Sequence, residues 1–110
     1  MTYAVRFTHG ARKDLRAIHD YISAADSAER ADYVAREIIR AALALQQFPE
    51  RGAYPQELLM SGNKKYRQVL FKPYRILYRV QGSTVFIAVI ADGRRDMASL
   101  LAQRLQKRTR

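Results

Sequence analysis

Residues 85–91, Val-Phe-Ile-Ala-Val-Ile-Ala, form an unbroken apolar run with Gly82-Ser83 ahead of it and Asp92-Gly93 behind it. A run of this length between turn signals reads as a strand, Thr84 to Ala91. Apolar side chains at both odd and even positions make it a central strand covered on both sides. Two more strand-like runs precede it, Lys64–Phe71 and Tyr74–Gln81. Gly82-Ser83 gives a tight hairpin turn between the second and third runs. Pro73 cannot take the positive φ of a primed two-residue turn, so the first connection is expected to need three residues or more. With Phe71, Lys72 and Pro73 as the loop, Leu70 faces Tyr74, and Arg67 and Arg75 share a side. A four-residue loop puts those two arginines on opposite sides, because one slip inverts the pleat.

The N-terminal half has two other periods. Tyr3, Val5 and Phe7 alternate with polar or small residues over 2–8, the pattern of a half-buried strand broken by His9-Gly10. From Ala11 the period becomes helical, with Leu15, Ile18 and Ile22 on one stripe. A short break at 23–27 follows, where Asp26 and Ser27 are both candidate caps for the next helix. That second helix is expected from Ala28 to Phe48, with Ala31, Val34 or Ala35, Ile38, Ala41 or Ala42, Leu45 and Phe48 inward and Pro49 stopping it. The short break folds the two helices into an antiparallel hairpin. Residues 49–63 hold two prolines and two glycines and read as a loop, with Leu58, Leu59 and Met60 pinning it to the core. After Asp92-Gly93, Asp96 caps a last helix carrying Met97, Leu100, Leu101 and Leu105, and 106–110 read as a frayed basic tail. The order β-α-α-β-β-β-α is that of an α+β two-layer sandwich, an antiparallel sheet with a helical hairpin on one face. The other face is expected to be left for function.

A chain of 110 residues with 48 % hydrophobic side chains supports one core, so 1–110 is expected to be a single domain. It has no cysteine, which excludes disulfides and thiolate metal sites, and only His9 and His19 for an imidazole site. No metal or cofactor is therefore expected. The segment MTYAVRFTHG lacks the apolar core of a signal peptide, and no run is long enough to span a membrane, so the cytoplasm is the expected compartment. The net charge of +10 is segregated: residues 1–63 hold eight basic and eight acidic side chains, whereas residues 64–110 hold twelve and two. Such a one-sided field points to an anionic partner.

Catalytic constellations are missing from this basic half. Asp92 and Asp96 read as turn and cap residues, His19 as a residue packed beside the core stripe, and there is no Gly-rich phosphate loop. What remains is an array of Arg and Tyr: Tyr66, Arg67, Tyr74, Arg75, Tyr78, Arg79, Arg94 and Arg95. Guanidinium groups grip phosphates and phenol rings stack bases, and both also anchor protein interfaces.

These residues fall within a wider pattern. It comprises Ala11, Asp14, Leu15, Ile18, Tyr21 and Ile22 in the first helix, Phe-Pro-Glu-Arg-Gly at 48–52, and the Tyr-Arg pairs at 66–67 and 74–75. It continues with Arg-Ile-Leu-Tyr-Arg-Val at 75–80 and Asp-Gly-Arg-Arg-Asp at 92–96 before Leu-Leu-x-x-Arg-Leu. Over about residues 3–106 the sequence resembles the RelE/ParE superfamily of toxins from type II toxin–antitoxin modules. The resemblance implies the element order read above, a cytoplasmic growth inhibitor, and a cognate antitoxin whose C-terminal segment wraps the toxin in a hetero-oligomer. RelE-like members are ribosome-dependent mRNA endoribonucleases, and Arg67, Arg75 and Arg95 match basic positions of that pattern. A second basic position on the same strand falls at Val69, however, and the C-terminal Tyr falls near Leu101. ParE-like members share the Gly-Arg-Arg-Asp ending, lack the nuclease set and poison DNA gyrase by binding. The resemblance therefore favours a ParE-like gyrase poison with Arg67, Arg75, Arg79, Arg94 and Arg95 as target-binding residues. A ribosome-bound nuclease is the alternative, and a non-toxic antitoxin-binding module a third reading.

Overall fold

The computed structural model describes residues 2–105, so the basic tail at 106–110 lies outside the described residues. The chain begins with β1 (Ala4–Phe7), and Thr8 turns it into α1 (His9–Ala25) by accepting the Ala11 N–H on its hydroxyl at 3.1 Å. Of the two candidate caps for α2 (Ala28–Leu43), Ser27 takes the role, accepting the Arg30 N–H at 3.0 Å. The helix ends sooner than its apolar period predicts. A single 3-10 turn, Ala44–Gln46, replaces its last turn. That change of pitch buries Leu45 but swings Phe48 out to 65 % exposure.

A one-turn helix, α3 (Gln56–Leu59), then stands inside the segment read as a loop. Of Leu58, Leu59 and Met60, expected to pin the segment to the core, only Leu58 is buried; Leu59 is exposed and Met60 is 84 % exposed. Three strands follow, β2 (Arg67–Phe71), β3 (Tyr74–Gln81) and β4 (Thr84–Asp92), and then α4 (Met97–Arg104), capped by Asp96 as expected. The sheet order is β1-β4-β3-β2. The β2-β3-β4 meander is antiparallel, and β1 adds to β4 in parallel. At the β3–β4 turn Gly82 has φ +61°, which suits a residue without a Cβ.

The β2–β3 register departs from both loops considered above. Phe71 pairs with Tyr74 and Leu70 with Arg75, so the loop has two residues. The physical reason is a cis Lys72-Pro73 peptide, which closes a two-residue turn without positive φ. Arg67 thereby pairs with Tyr78 on the hairpin side of the sheet, while Arg75 lies on the opposite side, not beside Arg67.

The hairpin of α1 and α2 covers one face through Ala11, Ile22, Ala31, Val34, Ile38 and Ala42, set against Ile76, Tyr78, Val85, Ile87 and Ile90. The second face is not free. Leu77, Val89 and Ala91 pack there against Leu58, Met97 and Leu101 of α3 and α4. A bulge serves both faces: Tyr78 pairs with Ile87 and Leu77 with Val89, so Ala88 has no partner on β3 and the alternation shifts by one. This is how the apolar run at 85–91 feeds two clusters.

β1 ends at Phe7, which leaves the β4 edge beyond Ile87 without a neighbouring strand. Asp14 of α1 and Arg104 of α4 take its place. The Ile90 N–H donates to Asp14 Oδ2 at 2.9 Å, and Arg104 donates to the Ala88 carbonyl at 3.0 Å. The two side chains also pair with each other, Nη1 to Oδ1 at 2.9 Å and Nη2 to Oδ2 at 3.0 Å. A bidentate ion pair thus satisfies the polar edge of the central strand and ties the last helix to the first.

Candidate functional site

The five arginines picked out in sequence do not form one site. β3 runs from the Asp92 corner, where Tyr74 pairs, to the Gly82 turn, where Gln81 pairs with Thr84. Arg75 and Arg79 therefore sit toward opposite ends, and Arg94 and Arg95 follow the corner.

Arg75 is structural. Its guanidinium makes a two-pronged pair with Glu57, Nη1 to Oε2 at 2.8 Å and Nη2 to Oε1 at 2.7 Å, and its Nε donates to Gln68 Oε1 at 2.7 Å. Its side chain is only 14 % exposed. The hydrogen bonds from Arg75 hold the Glu57 carboxyl below its ordinary range, with burial opposing them. The pair fastens α3 across the β2–β3 turn. Sequence reasoning missed it because Glu57 lies in a segment without evident periodicity.

Arg67 and Arg79 both lie toward the far end. They line a cleft of about 520 Å³ with Lys64, Lys65, Tyr66, Tyr54 and Glu50. Arg67 donates from Nη1 to the Gly52 carbonyl at 2.9 Å and from Nη2 to Tyr54 Oη at 3.0 Å, and it stacks 4.4 Å from the Tyr54 ring centre. Arg79 donates to Gln81 Oε1 at 2.6 Å and lies 4.5 Å over Phe86.

The cleft wall at 49–54 is fixed from beneath by Tyr78. This residue is fully buried; its hydroxyl donates to the Pro49 carbonyl at 2.7 Å and accepts the Gly52 N–H at 3.0 Å. Gly52 is required by that approach, since a Cβ there would stand 2.6 Å from both Tyr78 Oη and the Gln68 carbonyl. Burial pushes the Tyr78 phenol above its ordinary value, so it stays protonated and works as a strut, not a base.

The Asp92 corner is the third place. Asp92 accepts the Arg94 N–H at 2.9 Å and pairs with its guanidinium at 2.6 Å, and these bonds from Arg94 depress its carboxyl. Arg94 and Arg95 are both exposed. With Tyr21, which is 73 % exposed, and Tyr74 they edge a groove of about 360 Å³ between α1 and the end of β4. Burial, then the Asp92 charge, raise the Tyr74 phenol. Both shifted tyrosines are thereby poor bases at neutral pH. Nor does His19 pack on the core: its Nε2 lies 2.7 Å from Asp32 Oδ1, joining α1 to α2 at the surface. Among the described residues no three His, Cys, Asp or Glu side chains cluster as metal ligands would. No helix among them is long and apolar enough to cross a membrane. The cleft and the corner present guanidinium groups and phenol rings at opposite ends of the sheet.

A four-stranded sheet with a helical hairpin on one face and a closing helix on the other is the architecture of RelE/ParE superfamily toxins. The structure matches the chromosomal ParDE toxin–antitoxin system from P. aeruginosa with a TM-score of 0.69 at 25 % identity, over 83 % of this chain and 96 % of that one. It matches the RelBE2 toxin–antitoxin complex from Mycobacterium tuberculosis with a TM-score of 0.61 at 22 % identity, over 84 % and 92 %. A mutant of the E. coli toxin RelE in the free state matches with 0.63 at 13 % identity, over 97 % and 100 %, a likeness of fold alone. A comparison with curated proteins gives no match. The sequence profile of the ParE toxin of type II toxin–antitoxin systems, parDE, matches residues 5–97, and the chain belongs to this family.

Proposed function

We propose that this chain inhibits growth by binding DNA gyrase and trapping DNA breaks, not by cutting RNA, and that a cognate antitoxin neutralises it in a hetero-oligomeric complex. The observation that carries the reading is the fate of the positions a RelE-like nuclease would need. Val69, at the second basic position of β2, packs against the hairpin core, and Leu101, near the place of the C-terminal Tyr, is 1 % exposed in the second cluster. Arg75 is neutralised by Glu57. A cationic stabiliser and an acid/base group are thus replaced by core packing, and a second cation is held in an ion pair. An inhibitor acting by contact needs none of them.

The antitoxin reading is supported by the toxin–antitoxin complexes among the structural relatives and by the +10 charge, which suits a wrapping segment rich in carboxylates. Both the antitoxin and gyrase place the chain in the cytoplasm, where it acts as one domain. The test pairs a gyrase supercoiling assay with in-vitro translation and mRNA cleavage mapping, using the purified chain in both. Blocked supercoiling with intact mRNA is expected. Cleaved mRNA with normal supercoiling would make it a ribosome-dependent nuclease, and normal growth on induction without antitoxin would leave only a non-toxic binding module.

A further inference from the structure

Six cations of this molecule differ in what holds them. Arg75, Arg94 and Arg104 are each paired with a carboxylate at 2.9 Å or less. None of the ion pairs among the described residues involves Lys64, Arg67 or Arg79. Arg67 and Arg79 are instead aimed by neutral partners: a carbonyl and a phenol for one, a side-chain amide and a phenyl face for the other. Neutral partners fix the direction of a guanidinium and leave its charge undischarged. All three cations line the same cleft, where Glu50 is the single carboxylate among the lining residues.

We propose that this cleft binds a single strand of nucleic acid through its phosphodiester backbone. Its volume of about 520 Å³ is that of a site for a small molecule, so it takes a segment of one strand and not the cylinder of a duplex. The fixed guanidinium of Arg67 offers its remaining N–H groups to phosphate oxygens, with Lys64 and Arg79 as further cations. Tyr54, one face of which Arg67 covers, and Tyr66 line the cleft with the cations and give phenol surfaces on which any base can stack. The presence of rings beside undischarged cations favours a strand over an acidic peptide, which needs the charges alone. The wall is preorganised, because Tyr78 anchors Pro49 and Gly52 from the core. Binding without cleavage is the role, and it does not depend on gyrase being the target.

The experiment uses the full chain and fluorescein-labelled single strands of about 12 nucleotides, one DNA and one RNA of the same sequence, read by anisotropy across a salt series. Three phosphate-contacting cations predict a slope of log K against log salt near about −2. Lys64→Ala with Arg79→Ala is expected to weaken binding about tenfold or more and to flatten the slope toward about −0.7, with an unchanged circular dichroism spectrum. Should that pair of changes disturb the fold, the exposed Lys64→Ala alone lowers the slope by about 0.7. Absence of binding to both strands, or binding that ignores these substitutions, overturns the proposal. So does equal affinity for a labelled oligo-glutamate with the same dependence on Lys64 and Arg79, which would make the cleft a protein-binding site. Preference for either strand upholds the cleft, and preference for RNA would count against gyrase as the target.

Discussion

At the residue scale, Tyr78 shows how a core side chain shapes the surface above it. Its ring belongs to the hairpin cluster, yet its hydroxyl holds the Pro49 carbonyl and the Gly52 N–H, and through them the loop that presents Tyr54 to Arg67. Tyr78→Phe keeps the ring and orphans both backbone groups. The expected cost is about 1–3 kcal/mol in urea unfolding. If the cleft is a strand site, the same variant should also weaken oligonucleotide binding, because Arg67 loses a fixed carbonyl partner. A stability change below about 0.5 kcal/mol would show that water replaces the hydroxyl at no cost. In sequence, Tyr78 was one of several tyrosines beside arginines. Its burial follows from its partner Ile87 on the central strand, a pairing that depends on the bulge.

At the scale of elements, two ion pairs join pieces that backbone bonding leaves apart. Asp14 with Arg104 ties α1 to α4 and completes the β4 edge, so Asp14→Ala strands the Ile90 N–H and leaves Arg104 unpaired. The expected loss is about 1–3 kcal/mol, with faster amide exchange at Ile90 as the local sign. Glu57 with Arg75 ties α3 to the sheet. Because the folded-state carboxyl is depressed, its stabilisation is complete above the ordinary value of 4.5 and is lost as pH falls through the lower folded value. The wild-type melting temperature should then fall more steeply than that of Glu57→Gln between about pH 5 and pH 2, and parallel curves would remove the pair from the acid limb. Most elements were legible beforehand: β3 spans Tyr74–Gln81 as its alternation predicts, and Asp96 caps α4. The missing parts were those without a local period. The cis Lys72-Pro73 turn reset the β2–β3 register, α3 has too few residues for helical spacing to register, and Asp14 and Arg104 are ninety residues apart. The candidate site suffered for the same reason, since only tertiary partners distinguish Arg75, which is discharged, from Arg67, which is not.

At the scale of the molecule, the basic surface divides into a cleft at the Gly82 end and a corner at the Asp92 end. For the corner, Arg94→Ala with Arg95→Ala is expected to abolish growth inhibition while leaving the circular dichroism spectrum and melting temperature unchanged, since both side chains are exposed and the Arg94–Asp92 pair lies at the surface. Loss of the fold would make the corner structural, and full toxicity would move target recognition elsewhere. The Asp14–Arg104 fastening also bears on how the chain comes off the ribosome. Asp14 is made before β4 and Arg104 after it, so between the synthesis of Ala88 and that of Arg104 the Ala88 carbonyl is an unfilled acceptor on a strand edge within an apolar run. A nascent chain stalled before α4 offers that edge to any extended segment nearby, including another copy of itself. The last turn of α4 therefore acts as a seal, closing a self-association hazard once Arg104 has been made.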